Sequence, residues 1–259
     1  MKRKKIKLLA GVMIIAMTGG VFVGCGNNSA SKEGKVTITV SGSTSVGPLM
    51  EKIAEKYEEE NSDVSIEINQ TGSSAGIKDA MDGISDIGLS SRDLKGEEAS
   101  KVQSTVLAYD GVAVITNTSN PIKELTIEQI RDIFTGKITN WNQIGGNDSP
   151  IVVVSRETGS GTRTAFEEGV GYSEEELVKT ATISKGNGDV KTTVSTNENA
   201  IGFVSFEYLD DAISAINING IKPTAENVKA GSYVLSRPFL AVTNEQYVTE
   251  DAKNLIDYI

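Results

Sequence analysis

Residues 151–166 read IVVVSRETGSGTRTAF, and this stretch carries the clearest indication of the fold. The apolar, β-branched run 151–154 predicts a buried strand. A loop of Ser, Gly and Thr follows, and a helical pattern then continues through Phe166. A strand, a polar loop and a helix in this order are the repeating unit of a parallel sheet covered by helices.

The same unit occurs twice near the start of the chain. Residues 36–40 alternate as a strand, and residues 48–60 place Leu49 and Ile53 on one helical face. A second strand at 64–68 and a short helix at 77–81 follow. The fold class is therefore predicted to be α/β. Further strands are expected at 86–89, 111–116, 200–204 and 239–242, and further helices after Thr126 as N-cap and from 250 to 259.

Composition removes several classes of function. The 259 residues include no histidine, which excludes Ser-His and Cys-His nucleophilic pairs and the usual zinc, copper and haem ligand sets. The single cysteine allows no internal disulfide. We therefore expect no metal, no other cofactor and no enzymatic activity.

The N-terminus has a different character from the rest. A basic head and an apolar run end at Cys25, and this layout predicts a signal peptide over residues 1–24. The arrangement resembles a bacterial lipoprotein signal, although Phe22 stands where leucine is usual. It implies that Cys25 is lipidated, that residues 25–34 form a flexible tether, and that the protein is anchored to the outer face of the cell membrane. A single membrane anchor helix and a buried structural cysteine are the alternatives.

Removing residues 1–24 takes away five bases and no acids. The remaining chain has 35 acidic and 20 basic residues, a net charge of −15. Such a surface repels nucleic acid and anionic membrane, so neither is an expected partner beyond the lipid anchor. Any anion that this chain binds has to be held by local structure.

Three loops of small hydroxyl and glycine residues each precede a helix: residues 41–48, 71–76 and 156–163. The start of a helix exposes free N–H groups and roughly half a positive charge. Such a loop suits a tetrahedral oxyanion. The alternative for each loop is ordinary helix capping, but capping does not require three such loops with arginines beside one of them.

Arg156 and Arg163 flank the third loop. A guanidinium can bind two oxygens of a phosphate or sulfate at once. Arg156 follows the apolar strand directly and is the preferred ligand, whereas Arg163 lies within the helix and has a solvated charge as its alternative. Residues 72–76 match the G-x-S-x-G nucleophile motif, but no triad can form without histidine.

Six stretches carry a resemblance to a known family. Residues 41–48, 72–77, 85–92, 110–115, 133–141 and 156–163 resemble, in the family's order, the signature blocks of the phosphate-binding protein of bacterial phosphate ABC transporters. The resemblance implies a two-lobed periplasmic-binding-protein fold of type II with the ligand cleft between the lobes. One lobe is expected from residues 35–111 plus 237–259, and the other from 112–236.

The resemblance also implies the phosphate ligands. They are expected from the three helix starts, the Arg156 guanidinium and the segment around position 91: Ser43, Thr44, Ser45, Ser73, Ser91, Arg92, Asp110, Arg156, Ser160, Gly161 and Thr162.

One position departs from the best-known family members, which have aspartate where this chain has Ser91. That carboxylate accepts a hydrogen bond from the proton that phosphate retains and sulfate lacks, so Ser91 weakens the basis for discrimination. Asp110 is the nearest candidate to replace it, with a turn residue before Gly111 as the alternative. Arg92 is a candidate compensating positive group.

The expected function is extracytoplasmic capture of inorganic phosphate by a monomer, followed by delivery to the permease subunits of an ABC transporter. A receptor for sulfate or molybdate is the first alternative, and a secreted phosphate-ester hydrolase is a distant second.

The last helix stops at Ile259, where relatives often continue by about one more helix, so a truncated C-terminus is also expected.

Overall fold

The computed structural model describes residues 34–259. The predicted signal peptide, Cys25 and residues 25–33 of the expected tether lie outside the described residues. Within residues 34–259, no helix combines the length and the apolar character needed to cross a membrane.

The described chain alternates strands and helices, as expected for the α/β class. The strands are β1 (Val36–Gly42), β2 (Val64–Asn69), β3 (Ile87–Ser90), β4 (Gln103–Asn117), β5 (Glu124–Leu125), β6 (Val152–Arg156), β7 (Thr182–Ser184), β8 (Ala200–Ser205), β9 (Ile213–Ala215), β10 (Asn217–Ile218) and β11 (Ser236–Thr243). The helices are α1 (Gly47–Glu60), α2 (Ser73–Met81), α3 (Glu98–Lys101), α4 (Ile127–Phe134), α5 (Gly161–Val170), α6 (Gly186–Thr196), α7 (Ala225–Lys229) and α8 (Glu250–Tyr258).

Nine strands form one sheet in the order β2-β1-β3-β11-β4-β8-β6-β7, with β9 also on β4. At one end β1 pairs in parallel with β2 and β3, and at the other end β6 pairs in parallel with β7 and β8. The antiparallel strands β11 and β4 join the two parallel groups. The predicted α/β architecture is confirmed.

Strand β4 is longer than its apolar part indicated. Its first half, from Gln103 to Gly111, pairs with β11, and from Val112 onward it pairs with β8. Only this second part has the continuous apolar character of a buried strand. The first part is largely exposed, which is why the pattern predicted a strand from Gly111 only.

Each parallel group has its own hydrophobic core. Phe134, Phe166 and Phe203 pack together beneath β6 and β8, with Phe166 and Phe203 stacked at 4.0 Å between ring centroids. Ile38 and Met50 belong to the core around β1 and α1. Truncating such a buried aromatic to alanine costs about 3–5 kcal/mol. These cores fix the strand ends and helix starts where the predicted ligand loops lie.

Helix boundaries show where local signals were sufficient. Thr126 caps α4 with a full capping box to Gln129, which confirms the predicted N-cap. Helix α2 begins at Ser73 rather than at Ile77, so its first turn is part of the second Ser-rich loop. Helix α6 has no predicted counterpart, because glycine, threonine and asparagine give it a weak helical pattern.

Candidate anion-binding site

The three Ser- and Thr-rich loops meet. The Ser45 hydroxyl after β1 lies 2.8 Å from the Thr162 hydroxyl at the start of α5. The Ser74 backbone N–H, in the first turn of α2, donates to the Gly159 carbonyl at 3.1 Å. Parallel strands therefore bring the starts of α1, α2 and α5 to one place, where their free N–H groups and positive dipole ends converge.

Arg156 ends β6 at this meeting point. Its side chain is 1% exposed, and its Nη2 donates to Thr44 Oγ1 at 3.3 Å. Nε and Nη2 also donate to the two carboxylate oxygens of Glu157, each at 2.9 Å. Nη1 is buried and has no hydrogen-bond partner among the described residues. A buried guanidinium nitrogen in this state is available to an anion's oxygen.

Glu157 orients Arg156. Burial raises the pKa of Glu157, but the hydrogen bonds and the charge of Arg156 outweigh burial and hold the pKa below its usual range. Glu157 also accepts from the Gly186 backbone N–H at 3.3 Å, which links the pair to the start of α6. The arginine is therefore held in one orientation by an ionised neighbour.

Arg163, the other arginine of the third loop, is fully engaged elsewhere. It is buried, and its guanidinium contacts Glu167 at 2.7 Å, Glu174 at 3.3 Å and the Arg156 carbonyl at 3.1 Å. These bonds brace the loop that carries Arg156. The solvated charge considered for Arg163 is therefore wrong, since the side chain is buried and ion-paired.

One predicted ligand serine, Ser160, is the N-cap of α5, and another, Ser43, holds the turn that precedes α1. Ser43 Oγ accepts from the backbone N–H groups of Ser45 and Val46, and Ser160 Oγ accepts from that of Arg163. Their side-chain oxygens are thus used within their own loops. Ser43 and Ser160 shape the helix starts, and their place as ligands stays a prediction.

Ser73 and Ser91 form a second hydroxyl pair. Both are fully buried, and their Oγ atoms lie 3.2 Å apart. Ser73 Oγ also accepts from the Ser91 backbone N–H at 3.0 Å. Gly161 packs against this pair so closely that a Cβ at position 161 would stand 2.8 Å from Ser91 Oγ. Position 91 therefore lies among the converging loops.

Arg92 is directed mainly to a neighbouring acid. Its guanidinium donates to both carboxylate oxygens of Glu98, at 2.8 and 2.9 Å, and also to Ser74 Oγ and the Asp93 carbonyl. The hydrogen bond from Arg92 is the main cause that holds the pKa of Glu98 below its usual range. Arg92 thus reaches the second loop through Ser74, while its charge is matched by Glu98.

Asp110 pairs with an arginine that the sequence analysis did not select. Asp110 Oδ2 accepts from Arg237 Nη2 at 3.0 Å and from Ser205 Oγ at 2.8 Å. Burial raises the pKa of Asp110, and Arg237 and Ser205 offset this only in part. Asp110 and Arg237 are register partners on β4 and β11. The turn-residue alternative for Asp110 is wrong, because the residue lies within β4.

Arg237 reaches the loops on its other side. It is 3% exposed, and it donates from Nη2 to Ser45 Oγ at 3.1 Å and from Nη1 to the Ser91 carbonyl at 3.2 Å. Its Nε is buried with no partner among residues 34–259. The one signal in the sequence was an arginine just before the apolar run 239–242, a position that was predicted only as a lobe boundary.

Asn187 is the second residue that the sequence analysis missed. It lies in the first turn of α6, is fully buried, and contacts both Thr44 and Ser45. The available signal was the Gly-Asn-Gly sequence at 186–188, directly after a short β-rich run. Helix α6 therefore brings a fourth helix start to the loops that the sequence identified as three.

No metal cluster accompanies the site. Across residues 34–259, no group of three or more His, Cys, Asp or Glu residues could hold a metal ion. The polar groups that converge here are hydroxyls, backbone N–H groups and guanidinium groups, which together bind oxyanions.

Comparisons with known proteins agree with this chemistry. A family model described as a PBP superfamily domain matches residues 27–259. The phosphate-binding protein PstS of Bacillus subtilis (strain 168) is 33% identical over 272 residues, covering 100% of this chain and 89% of that protein.

Two solved structures are similar over most of the chain. One, from Clostridium perfringens, is assigned as a phosphate ABC transporter substrate-binding protein with bound phosphate; it is 57% identical with a TM-score of 0.85, covering 86% of this chain and 92% of that one. An ABC-type phosphate transport receptor from Vibrio cholerae is 38% identical with a TM-score of 0.72, covering the same shares of the two chains.

Proposed function

The chain belongs to the phosphate-binding proteins of bacterial phosphate ABC transporters, within the PBP superfamily, and from this premise we propose that it captures inorganic phosphate for import. The predicted two-lobed periplasmic-binding-protein fold is confirmed by its structural neighbours. Phosphate is bound without chemical conversion and is passed to the permease subunits of the transporter.

One observation carries the assignment of the site. Arg156 is buried beside three converging helix starts, and its Nη1 atom lacks a hydrogen-bond partner within the described chain. Leaving a charged donor in this state is costly unless a ligand completes it. Inorganic phosphate supplies the oxygens, and the hydroxyls of Thr44 and Thr162 lie on the same loops.

These groups can supply the binding free energy that phosphate capture requires. A micromolar dissociation constant corresponds to about 8 kcal/mol. Hydrogen bonds to a charged partner contribute ~1.5–3 kcal/mol each, so a handful supply this before closure and desolvation are subtracted. Glu157 balances the charge of Arg156, and the chain as a whole is acidic, so the affinity depends on these directed bonds.

The lobes are proposed as 35–111 plus 237–259 and 112–236. The change in pairing of β4 at Gly111 and Val112, from β11 to β8, supports this division. The hydrogen bond between Ser45 and Thr162 then joins the two lobes across the cleft, and so does the one between Thr44 and Arg156. Such cross-lobe bonds are what closure around a ligand would form.

The remaining elements of the proposal concern location. Receptors of this class work outside the cytoplasm, and residues 1–24 have the layout of a signal peptide. Cys25 is proposed as the lipidated residue that keeps the monomer at the outer face of the membrane. Globomycin inhibition of processing, or mass spectrometry of the membrane-extracted protein, would test this anchor.

Phosphate is favoured over the alternatives. The relatives named above are phosphate-binding proteins, which argues against sulfate or molybdate as the main ligand. A hydrolase would need an activated nucleophile, and a chain without histidine has no Ser-His or Cys-His pair to provide one.

Titration calorimetry of residues 25–259 with phosphate, sulfate and arsenate at two pH values tests the function. Arg156→Ala should weaken phosphate binding by ~100-fold, the loss expected for one or two charge-assisted bonds. Arg131→Ala, which removes a partly exposed arginine from α4, is the matched control. Absence of phosphate binding by the unaltered chain would contradict the function, and normal binding by Arg156→Ala would contradict only the site.

A further inference from the structure

Asn187 has hydrogen-bond partners at both ends of its side-chain amide and uses both of its N–H donors. Its Oδ1 accepts from the Ser205 backbone N–H at 3.1 Å. Because that N–H can only donate, it fixes which end of the amide is oxygen. The Nδ2 group therefore faces the first loop, where its two hydrogens go to Thr44 Oγ1 at 3.2 Å and Ser45 Oγ at 3.0 Å.

These donations determine what the Thr44 hydroxyl can do. Thr44 Oγ1 accepts from Asn187 and also from Arg156 Nη2 at 3.3 Å. Neither donor can reverse its role, and a hydroxyl oxygen has two lone pairs. With both lone pairs occupied, the Thr44 hydroxyl can only donate its hydrogen to a further group.

The same reasoning applies to Ser45. Ser45 Oγ accepts from Asn187 and from Arg237 Nη2 at 3.1 Å. Its third contact, 2.8 Å from Thr162 Oγ1, must therefore be one in which Ser45 donates. Thr162 accepts that hydrogen and keeps its own hydrogen free to donate.

We propose that Asn187 is a positioning residue that fixes the first loop's hydroxyls as hydrogen-bond donors, so that the site selects anion oxygens without a proton. This inference rests on the proposed phosphate function. Buried hydroxyls otherwise adapt to either role, as the Ser73 and Ser91 pair still can. An oxygen that carries a proton is then left to that second pair.

Asn187→Asp is the main test, measured by phosphate titration from pH 4.5 to pH 8. The carboxylate keeps the acceptor for Ser205 but replaces both donors by an acceptor, so Thr44 and Ser45 turn toward it. Binding at pH 8 should weaken by ~100-fold, as for the loss of one or two bonds to a charged ligand. The difference in phosphate affinity between Asn187→Asp and the unaltered chain should become smaller below about pH 5, because a protonated carboxyl regains one donor.

Asn187→Ala separates loss of donors from charge repulsion. It is neutral, and we expect ~10-fold weaker binding with the pH dependence of the unaltered chain. Asn197→Asp at the end of α6 is the charge control, because it adds the same charge, keeps its acceptor for the Asn199 N–H and should bind normally. Thermal unfolding of each variant reports folding separately.

Two outcomes would overturn the inference while leaving the proposed function intact. The first is that Asn187→Ala binds phosphate as tightly as the unaltered chain, because charge repulsion alone would then explain weak binding by Asn187→Asp. The second is that the loss of phosphate affinity in Asn187→Asp does not change with pH. If Asn187→Asp does not fold, Asn187→Ala alone decides. A wild-type chain that binds no phosphate would instead refute the proposed function, and this inference with it.

Discussion

Gly161 at the start of α5 packs directly against Ser73 at the start of α2. A Cβ at position 161 would lie 2.8 Å from Ser73 Cβ, and closer still to Ser73 Oγ. Contacts of this length do not occur between real side chains without displacement. The absence of a side chain at position 161 is therefore what lets these two helix starts approach each other.

Gly161→Ala should accordingly weaken phosphate binding by roughly 10-fold or more, because the two loops could no longer meet around the anion. Gly188→Ala in α6 is the matched control, since a Cβ there would meet nothing within 4 Å. The control should gain about 0.5–1 kcal/mol of stability from helix propensity. Equal phosphate affinity in the two variants, measured by calorimetry, would show that close approach is not required.

Ser91→Asp should sharpen selection between phosphate and sulfate. Ser91 is fully buried beside Ser73, so a carboxylate there would accept a hydrogen bond from a protonated phosphate oxygen and repel a fully ionised sulfate. We expect a rise in the ratio of phosphate to sulfate affinity, largest at pH values where phosphate carries more protons. Ser91→Asn provides the neutral comparison, and an unchanged ratio in Ser91→Asp would place the proton acceptor elsewhere.

Asp110 and Arg237 should be strongly coupled in stability. Removing one partner leaves a buried charge unpaired, at a cost of about 3–5 kcal/mol, so Asp110→Asn and Arg237→Met should each destabilise the fold. Urea unfolding of the double variant should show much less than the summed loss. Additive losses would mean that the pair contributes no interaction of its own.

The pH dependence of Arg237→Met has a definite sign. Burial already raises the pKa of Asp110, and removing Arg237 removes the main group that opposes this shift. A carboxyl with a raised pKa in the folded state favours folding when protonated. The variant should therefore be less destabilised at pH 5 than at pH 8, and the opposite trend would contradict the assignment.

The stabilisation that Glu98 provides should change with pH in the opposite direction. Its pKa is lowered in the folded protein, chiefly by the hydrogen bond from Arg92. The stabilisation is present above the ordinary pKa of about 4.3 and is lost as the pH falls through the lowered value. The stability difference between the unaltered chain and Glu98→Gln should therefore shrink from pH 6 to pH 3, as measured by urea unfolding at each pH.

Local sequence was sufficient for the frame of the site. The apolar strand 152–156 and the capped start of α5 follow from composition within about a dozen residues, and so does the position of Arg156 at the end of that strand. The strands β1 and β2 and the helix α1 also follow from local sequence, whereas α2 begins four residues before the predicted start. The α/β class needed nothing more than this repeating order.

Contacts between residues that are far apart in the chain could not be predicted from local sequence. Asn187 lies 142 residues from Ser45, and Arg237 lies 192 residues from it, so their roles arise only when the sheet brings the strand ends together. Helix α6 forms although its residues have low helix propensity, because Val190 and Val194 pack in the core. Similarly, only the folded chain shows that Glu98 neutralises Arg92.

Asp110 and Arg237 lie opposite each other on the paired strands β4 and β11, so the backbone hydrogen bonds of these strands hold the two side chains together. In the proposed division both residues belong to the same lobe, so the two charges keep the same neighbour in the open and the closed protein. An interaction that is equal in two states cannot bias the balance between them. The pair therefore stabilises both states equally. In the proposed division, the bonds that would differ between the open and the closed protein are those from Thr44 to Arg156 and from Ser45 to Thr162.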